Sequence, residues 1–163
     1  KLPVGVIGAA VYQVFFQKAS AEKDNPEKLT LIVKQLTFRL LAMGVPIFLM
    51  IGLFAPQIFT LVFSSEWTRA GEIAQMLAPW LLMNFILSPL SALTVVLNKQ
   101  RWAIWFAVVD LFFRCISICI GGYFKNENMA FILMTVLSGG LLIYGTWWFN
   151  KLPAKASQLK YGE

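Results

Sequence analysis

Asp110 and Arg114 are the residues of this sequence best placed to do chemistry. They stand four apart within residues 102–124, a 23-residue stretch with no other charge. On a helix that spacing puts both on one face, about one turn apart. Arg114 then falls near the middle of the stretch, where a bilayer would charge each ion about 2.5–3.5 kcal/mol on the insertion scale. Both therefore face protein or water rather than lipid. Either the two form an internal ion pair that pins helices together, or they line a transport path in which Arg114 holds an anionic substrate. Ser117 and Gly121 continue the same face. The preceding apolar stretch carries a matching stripe, Asn84, Ser88 and Ser91, at i, i+4 and i+7. Pro79 and Pro89 remove backbone donors beside it and should break the helix locally. Broken helices at membrane depth line cavities or are buried in protein. Asn84 and the two serines are thus candidate cavity residues, or ordinary helix–helix hydrogen-bonding groups.

Other chemistry lacks its residues. The 163-residue chain has no His, which excludes a His-based triad or metal site. Its two cysteines, Cys115 and Cys119, are too few for a disulfide framework or a zinc site and should pack as small soft residues. No phosphate loop, catalytic acid pair or metal cluster is present. The sequence gives no support for an enzyme or for a cofactor.

The elements that must position these residues are membrane spans. The chain is 58% hydrophobic and 13% charged, against about 25% charged in soluble domains. A spanning helix needs about 20 apolar residues. Residues 40–63, 73–97 and 129–149 meet that length without a charge, and residues 102–124 meet it with Asp110 and Arg114 alone. Residues 2–16 form a shorter apolar stretch at the very start of the chain. It reads as a truncated span of a longer membrane protein rather than as a signal peptide. The expected fold is an all-α polytopic transmembrane helix bundle, with four full spans and one truncated span.

Basic residues set the orientation. Residues 17–39, 98–101 and 150–163 carry ten Lys and Arg, whereas the opposite side carries only Arg69 and Lys125. The three basic segments, and with them the C-terminal tail 150–163, should be cytoplasmic. This bias accounts for the net charge of +6 without nucleic acid as a partner. Trp67, Trp102, Trp105, Tyr123, Trp147 and Trp148 lie near span ends, as an interfacial belt would. Within 17–39, Asn25 can cap a helix and Pro26 suits its first position. Leu29, Ile32, Val33, Leu36 and Leu40 follow at helical spacing, with Lys28, Lys34 and Arg39 off that stripe. This is an amphipathic segment on the inner surface or a plain extension of the next span. Gly5 with Ala9 and Thr135 with Gly139 are small pairs that permit close helix approach. Gly44, Pro46, Gly52 and Pro56 should make the second span bendable.

The order of features resembles the C-terminal part of the Wzx-type polysaccharide flippases, in the superfamily that also holds multidrug exporters. The resemblance rests on Leu2-Pro3 with Gly8, on Val14-Phe15-Phe16 before a basic loop, and on Ala55-Pro56 near the end of a helix. It continues in Leu61 to Trp67, where Ser64 stands in place of a usual glycine. It ends in Ser88-Pro89-Leu90 and the turn Asn98-Lys99-Gln100-Arg101, with Asn98-Lys99 in place of a common Gly-Arg. The resemblance implies an all-helical transporter of two pseudo-symmetric lobes in the bacterial inner membrane. It implies a substrate of undecaprenyl-pyrophosphate-linked sugar repeat units, moved for surface polysaccharide such as O-antigen, with the polymerase machinery as a further partner. Arg114 would then meet the pyrophosphate, and Asp110 would be a coupling site or merely the partner of Arg114. A drug exporter of the same superfamily and a non-transporting structural membrane protein are the competing expectations.

Overall fold

The computed structural model describes residues 3–160, with side chains described for residues 10–153. Leu2 and residues 161–163 lie outside the described residues, and the side chains of the Gly5–Ala9 pair lie outside those described. The protein is an all-helical bundle: α1 (Pro3–Ala21), α2 (Pro26–Phe63), a short 3-10 turn (Ser65–Trp67), α3 (Thr68–Leu90), α4 (Ala92–Val96), α5 (Gln100–Tyr123) and α6 (Glu127–Lys160). Among the described residues, four segments are long and apolar enough to cross a membrane: Pro26–Phe63, Ser65–Val96, Gln100–Tyr123 and Glu127–Pro153. It is a membrane protein by this architecture.

Three readings of the elements narrow or change. Of the two readings of residues 17–39, the continuous extension of the span that follows is the one observed. Asn25 caps it by accepting from the Lys28 amide at 3.2 Å, Pro26 takes the first turn, and one helix of 38 residues runs on to Phe63. No Gly or Pro interrupts residues 27–43, so nothing ends the helix there. Leu29, Val33 and Leu40 are buried in a cluster with Phe15 and Ala19 of α1, Leu90, Leu93 and Phe149. The stripe is core rather than a surface anchor.

The second change concerns proline. α3 passes through Pro79 unbroken, and the single interruption of this span falls at Ser91, two residues after Pro89. The Ser91 hydroxyl donates to the Ser88 carbonyl at 2.7 Å and stabilises the break. The third change concerns the tail. Residues 150–160 continue α6 instead of leaving it, with Leu152 buried and Lys151 stacked 4.0 Å from the Trp147 ring centroid.

The helix ends follow local rules. Asn98 and Lys125 adopt φ of 52° and 51°. In each case the next amide reaches back five residues, Lys99 to the Thr94 carbonyl at 2.7 Å and Asn126 to the Gly121 carbonyl at 2.9 Å. Both ends are Schellman caps. Asn126 then caps α6 by accepting from the Met129 amide at 3.2 Å.

α3 and α6 form the centre, and α2 and α5 flank them with mostly exposed apolar faces. Gln75 of α3 donates to the Gly52 carbonyl of α2 at 2.8 Å, and Thr135 of α6 donates to the Met76 carbonyl of α3 at 2.9 Å. Close approach is fixed by two glycines. A Cβ on Gly71 would lie 2.7 Å from the Ala55 carbonyl oxygen, and one on Gly121 would lie 2.4 Å from the Ala130 Cβ.

Candidate functional site

Both α3 and α5 lean on α6. Phe106 stacks on Tyr144 at 6.1 Å, and Trp102 packs on Trp148 at 5.7 Å, so α5 and α6 run antiparallel. Thr135 meets Met76, and the Gly145 backbone lies against Leu87, so α6 and α3 run parallel. α3 and α5 have little contact with each other along their length, which leaves a cleft between them with α6 as its floor.

The cleft has a volume of about 270 Å³. Asn84, Ser88 and Ser91 line it from the α3 side, Phe106 and Asp110 from α5, and Leu142 from α6. Four sequence-predicted residues thus meet at one cavity: Asn84, Ser88, Ser91 and Asp110. Arg114 does not line it directly. One turn beyond Asp110, its Nη2 donates to Asp110 Oδ2, and its guanidinium carbon lies 4.9 Å from the Trp80 ring centroid. The cation therefore bridges α5 to α3 beside the cleft, held by a carboxylate and an aromatic face.

Ser117 lies elsewhere. It is fully buried, and its hydroxyl donates to the Phe113 carbonyl of its own helix at 2.7 Å. A hydroxyl satisfied within its own helix is a packing group, so the expectation that Ser117 lines the cavity is corrected. Cys115 and Cys119 are exposed rather than packed, because they occupy the outer face of α5. Trp148 packs inward from its span end. It is half-buried among Trp102, Phe106 and Phe149.

Two residues of this centre escape the sequence reading. Trp80 Nε1, Arg114 Nε, Asp110 Oδ1 and the Ser138 hydroxyl are buried and have no hydrogen-bond partner. The antiparallel register of α5 and α6 puts Ser138 level with the turn between Asp110 and Arg114. The parallel register of α3 and α6 puts it level with Trp80. All four unfilled polar atoms thus share one layer at mid-membrane depth. Trp80 was detectable as the one Trp remote from the span ends. Ser138 sits between Thr135 and Gly140 in a run of small residues and carried no separate signal.

Buried polar atoms without a protein partner are rare, and each one calls for an explanation in strain, in function or in a bound water or ion. Here three are donors: the indole N–H, the Arg114 Nε–H and the Ser138 hydroxyl. Together with a cation they suit an oxyanion. The fourth, Asp110 Oδ1, accepts a proton or a donor. The Asp110 side chain is 15% exposed and that of Arg114 36%, so the pair is sheltered but not sealed. Among the described residues no group of three or more His, Cys, Asp or Glu is placed to hold a metal ion.

A second charged cluster sits at the opposite end of the same helices. Arg69 donates to Glu72 at 2.5 Å, to Glu127 at 2.5 Å and to Asn128. It ties the start of α3 to the start of α6, and its groups are open to solvent. No family model matches this chain, and no curated protein or solved structure matches it.

Proposed function

We propose that this chain is the C-terminal part of a transporter that passes lipid-linked oligosaccharide across the bacterial inner membrane. Its substrate in this reading is an undecaprenyl-pyrophosphate repeat unit destined for surface polysaccharide. The three basic segments lie in the cytoplasm, the polymerase machinery takes the product, and the chain performs no enzymatic step. The observation that carries the reading is the set of buried polar atoms beside the cleft, Asp110 Oδ1, Arg114 Nε, the Trp80 indole N–H and the Ser138 hydroxyl, to which the protein supplies no hydrogen bond. A pyrophosphate oxygen would engage the guanidinium, the Trp80 indole N–H and the Ser138 hydroxyl, while the sugar runs along Asn84, Ser88 and Ser91. Arg suits this role because its planar donors engage two phosphate oxygens. Asp110 limits the affinity by sharing the cation, which lets the substrate leave.

The test is complementation of a flippase-deficient strain, with surface glycan normalised to the amount of protein in the membrane. Arg114→Ala should abolish display at near-normal protein level. Arg114→Lys should restore it only in part, because Lys lacks the bidentate fork. Full display with Arg114→Ala would reduce the pair to a structural lock. Normal glycan display together with altered drug resistance would favour the exporter.

A further inference from the structure

A second cavity, more voluminous than the cleft between α3 and α5, is a groove of about 350 Å³ between α1 and α2. Ala10 and Val14 of α1 and Leu36 of α2 give it apolar walls, and Lys18, Gln35 and Arg39 give it polar groups. Lys18, Gln35 and Arg39 are all exposed. No acidic residue lines the groove. The carboxylates of the hairpin tip, Glu22, Asp24 and Glu27, lie outside it, and Glu22 pairs with Lys28 at 3.6 Å.

The position along the membrane normal matters as much as the charge. Arg39 immediately precedes the charge-free residues 40–63. Its guanidinium therefore stands where hydrocarbon gives way to headgroups, on the side that carries most of the basic residues. An apolar trough edged by two cations and a side-chain amide has the polarity of one amphiphile, with an anionic head drawn to the cations and a chain running along the wall. Basic pockets between membrane helices recognise anionic headgroups in this way.

We infer that the α1–α2 groove is a binding site for one anionic phospholipid, whose phosphate lies between Lys18 and Arg39 and whose acyl chain packs on Ala10, Val14 and Leu36. The site is separate from the Arg114 layer and does not depend on the transport reading. Its role is to fix α1, which otherwise meets the bundle mainly through α3 and α4.

The experiment uses the purified full chain in neutral detergent, titrated with phosphatidylglycerol or phosphatidylcholine and read by native mass spectrometry. One phosphatidylglycerol should be retained about thirtyfold more strongly than phosphatidylcholine, the size expected when two cations meet one headgroup at a surface. Lys18→Gln with Arg39→Gln should abolish that preference. Lys23→Gln with Lys34→Gln, which removes equal charge outside the groove, should leave it intact. Ala10→Phe should weaken the retained lipid by filling the wall, with the helical circular-dichroism signal unchanged. Inorganic phosphate at matching concentration should not compete. Equal retention of the two lipids, an unchanged preference in the Lys18/Arg39 variant, loss in the Lys23/Lys34 control, or competition by phosphate would each overturn the inference.

Discussion

Arg69 and Arg114 are both arginines near helix crossings, yet their surroundings are opposite. Arg69 sits at the rim with two carboxylates and an amide oxygen around it, and its groups reach solvent. Arg114 sits at mid-depth with one carboxylate and an aromatic face, and its Nε has no partner. A rim cluster of this kind adds little stability, because water and salt compete for every charge. The mid-depth pair is expensive to bury and is still incompletely satisfied. An arrangement built only to hold helices together would fill its hydrogen bonds where solvent cannot. The molecule does the reverse, giving three side-chain hydrogen bonds to the arginine that water could serve and one, with an aromatic face, to the sheltered one.

The comparison can be broken by substitution, and the largest effect belongs to Asp110. Asp110→Asn leaves Arg114 without its counter-ion and should destabilise the fold by about 2 kcal/mol, less than the 3–5 kcal/mol of a fully buried pair because solvent reaches part of the guanidinium. Arg114→Ala should cost less, since Asp110 lines the cleft and water entering there can serve its carboxylate. Thermal unfolding in detergent orders the two. A more damaging Arg114→Ala would mean that the arginine, not the carboxylate, carries the packing.

Ser64→Gly tests whether the rim tolerates strain without functional reason. Ser64 holds φ at 108°, a region that favours glycine. The change should stabilise the protein by about 1 kcal/mol and leave glycan display unaltered. Ser138→Ala sharpens the contrast at mid-depth. Removing an unpartnered buried hydroxyl should raise the melting temperature by about 1–2 °C while reducing display. Loss of both stability and display would show that the hydroxyl is bonded in the native protein. The smallest effect belongs to Arg69→Ala, with a melting temperature within about 2 °C of the parent and full display. A defect in display there would erase the distinction between the two arginines.

Much of the cleft was legible in the sequence because helical spacing is a strong constraint. Asn84, Ser88 and Ser91 share a face by arithmetic, and so do Asp110 and Arg114. That the two faces meet at one cavity could not be read, because it depends on both helices leaning on α6. Ser117 shows the limit of the same arithmetic. It lies on the face of Asp110, but two turns along, where α5 closes on the start of α6 at Gly121 and Ala130. Span lengths were legible for α5 and short for α2 and α6. Charge marked where the apolar stretch ended but not where the helix did, since Lys, Arg and Glu are good helix formers. Trp80 was obscured by the expectation that tryptophans belong at interfaces.

Direct binding tests the central claim, that the layer around Arg114 is an unfilled oxyanion site. Purified protein in nanodiscs would be titrated with undecaprenyl pyrophosphate and, separately, with undecaprenol, which has the same chain and no phosphate. The account predicts saturable binding of the pyrophosphate that falls by at least about tenfold in Arg114→Ala, the size of one charge-assisted hydrogen bond lost from a sheltered site, while undecaprenol binds both proteins alike. Equal binding of undecaprenyl pyrophosphate to the parent and to Arg114→Ala would contradict it.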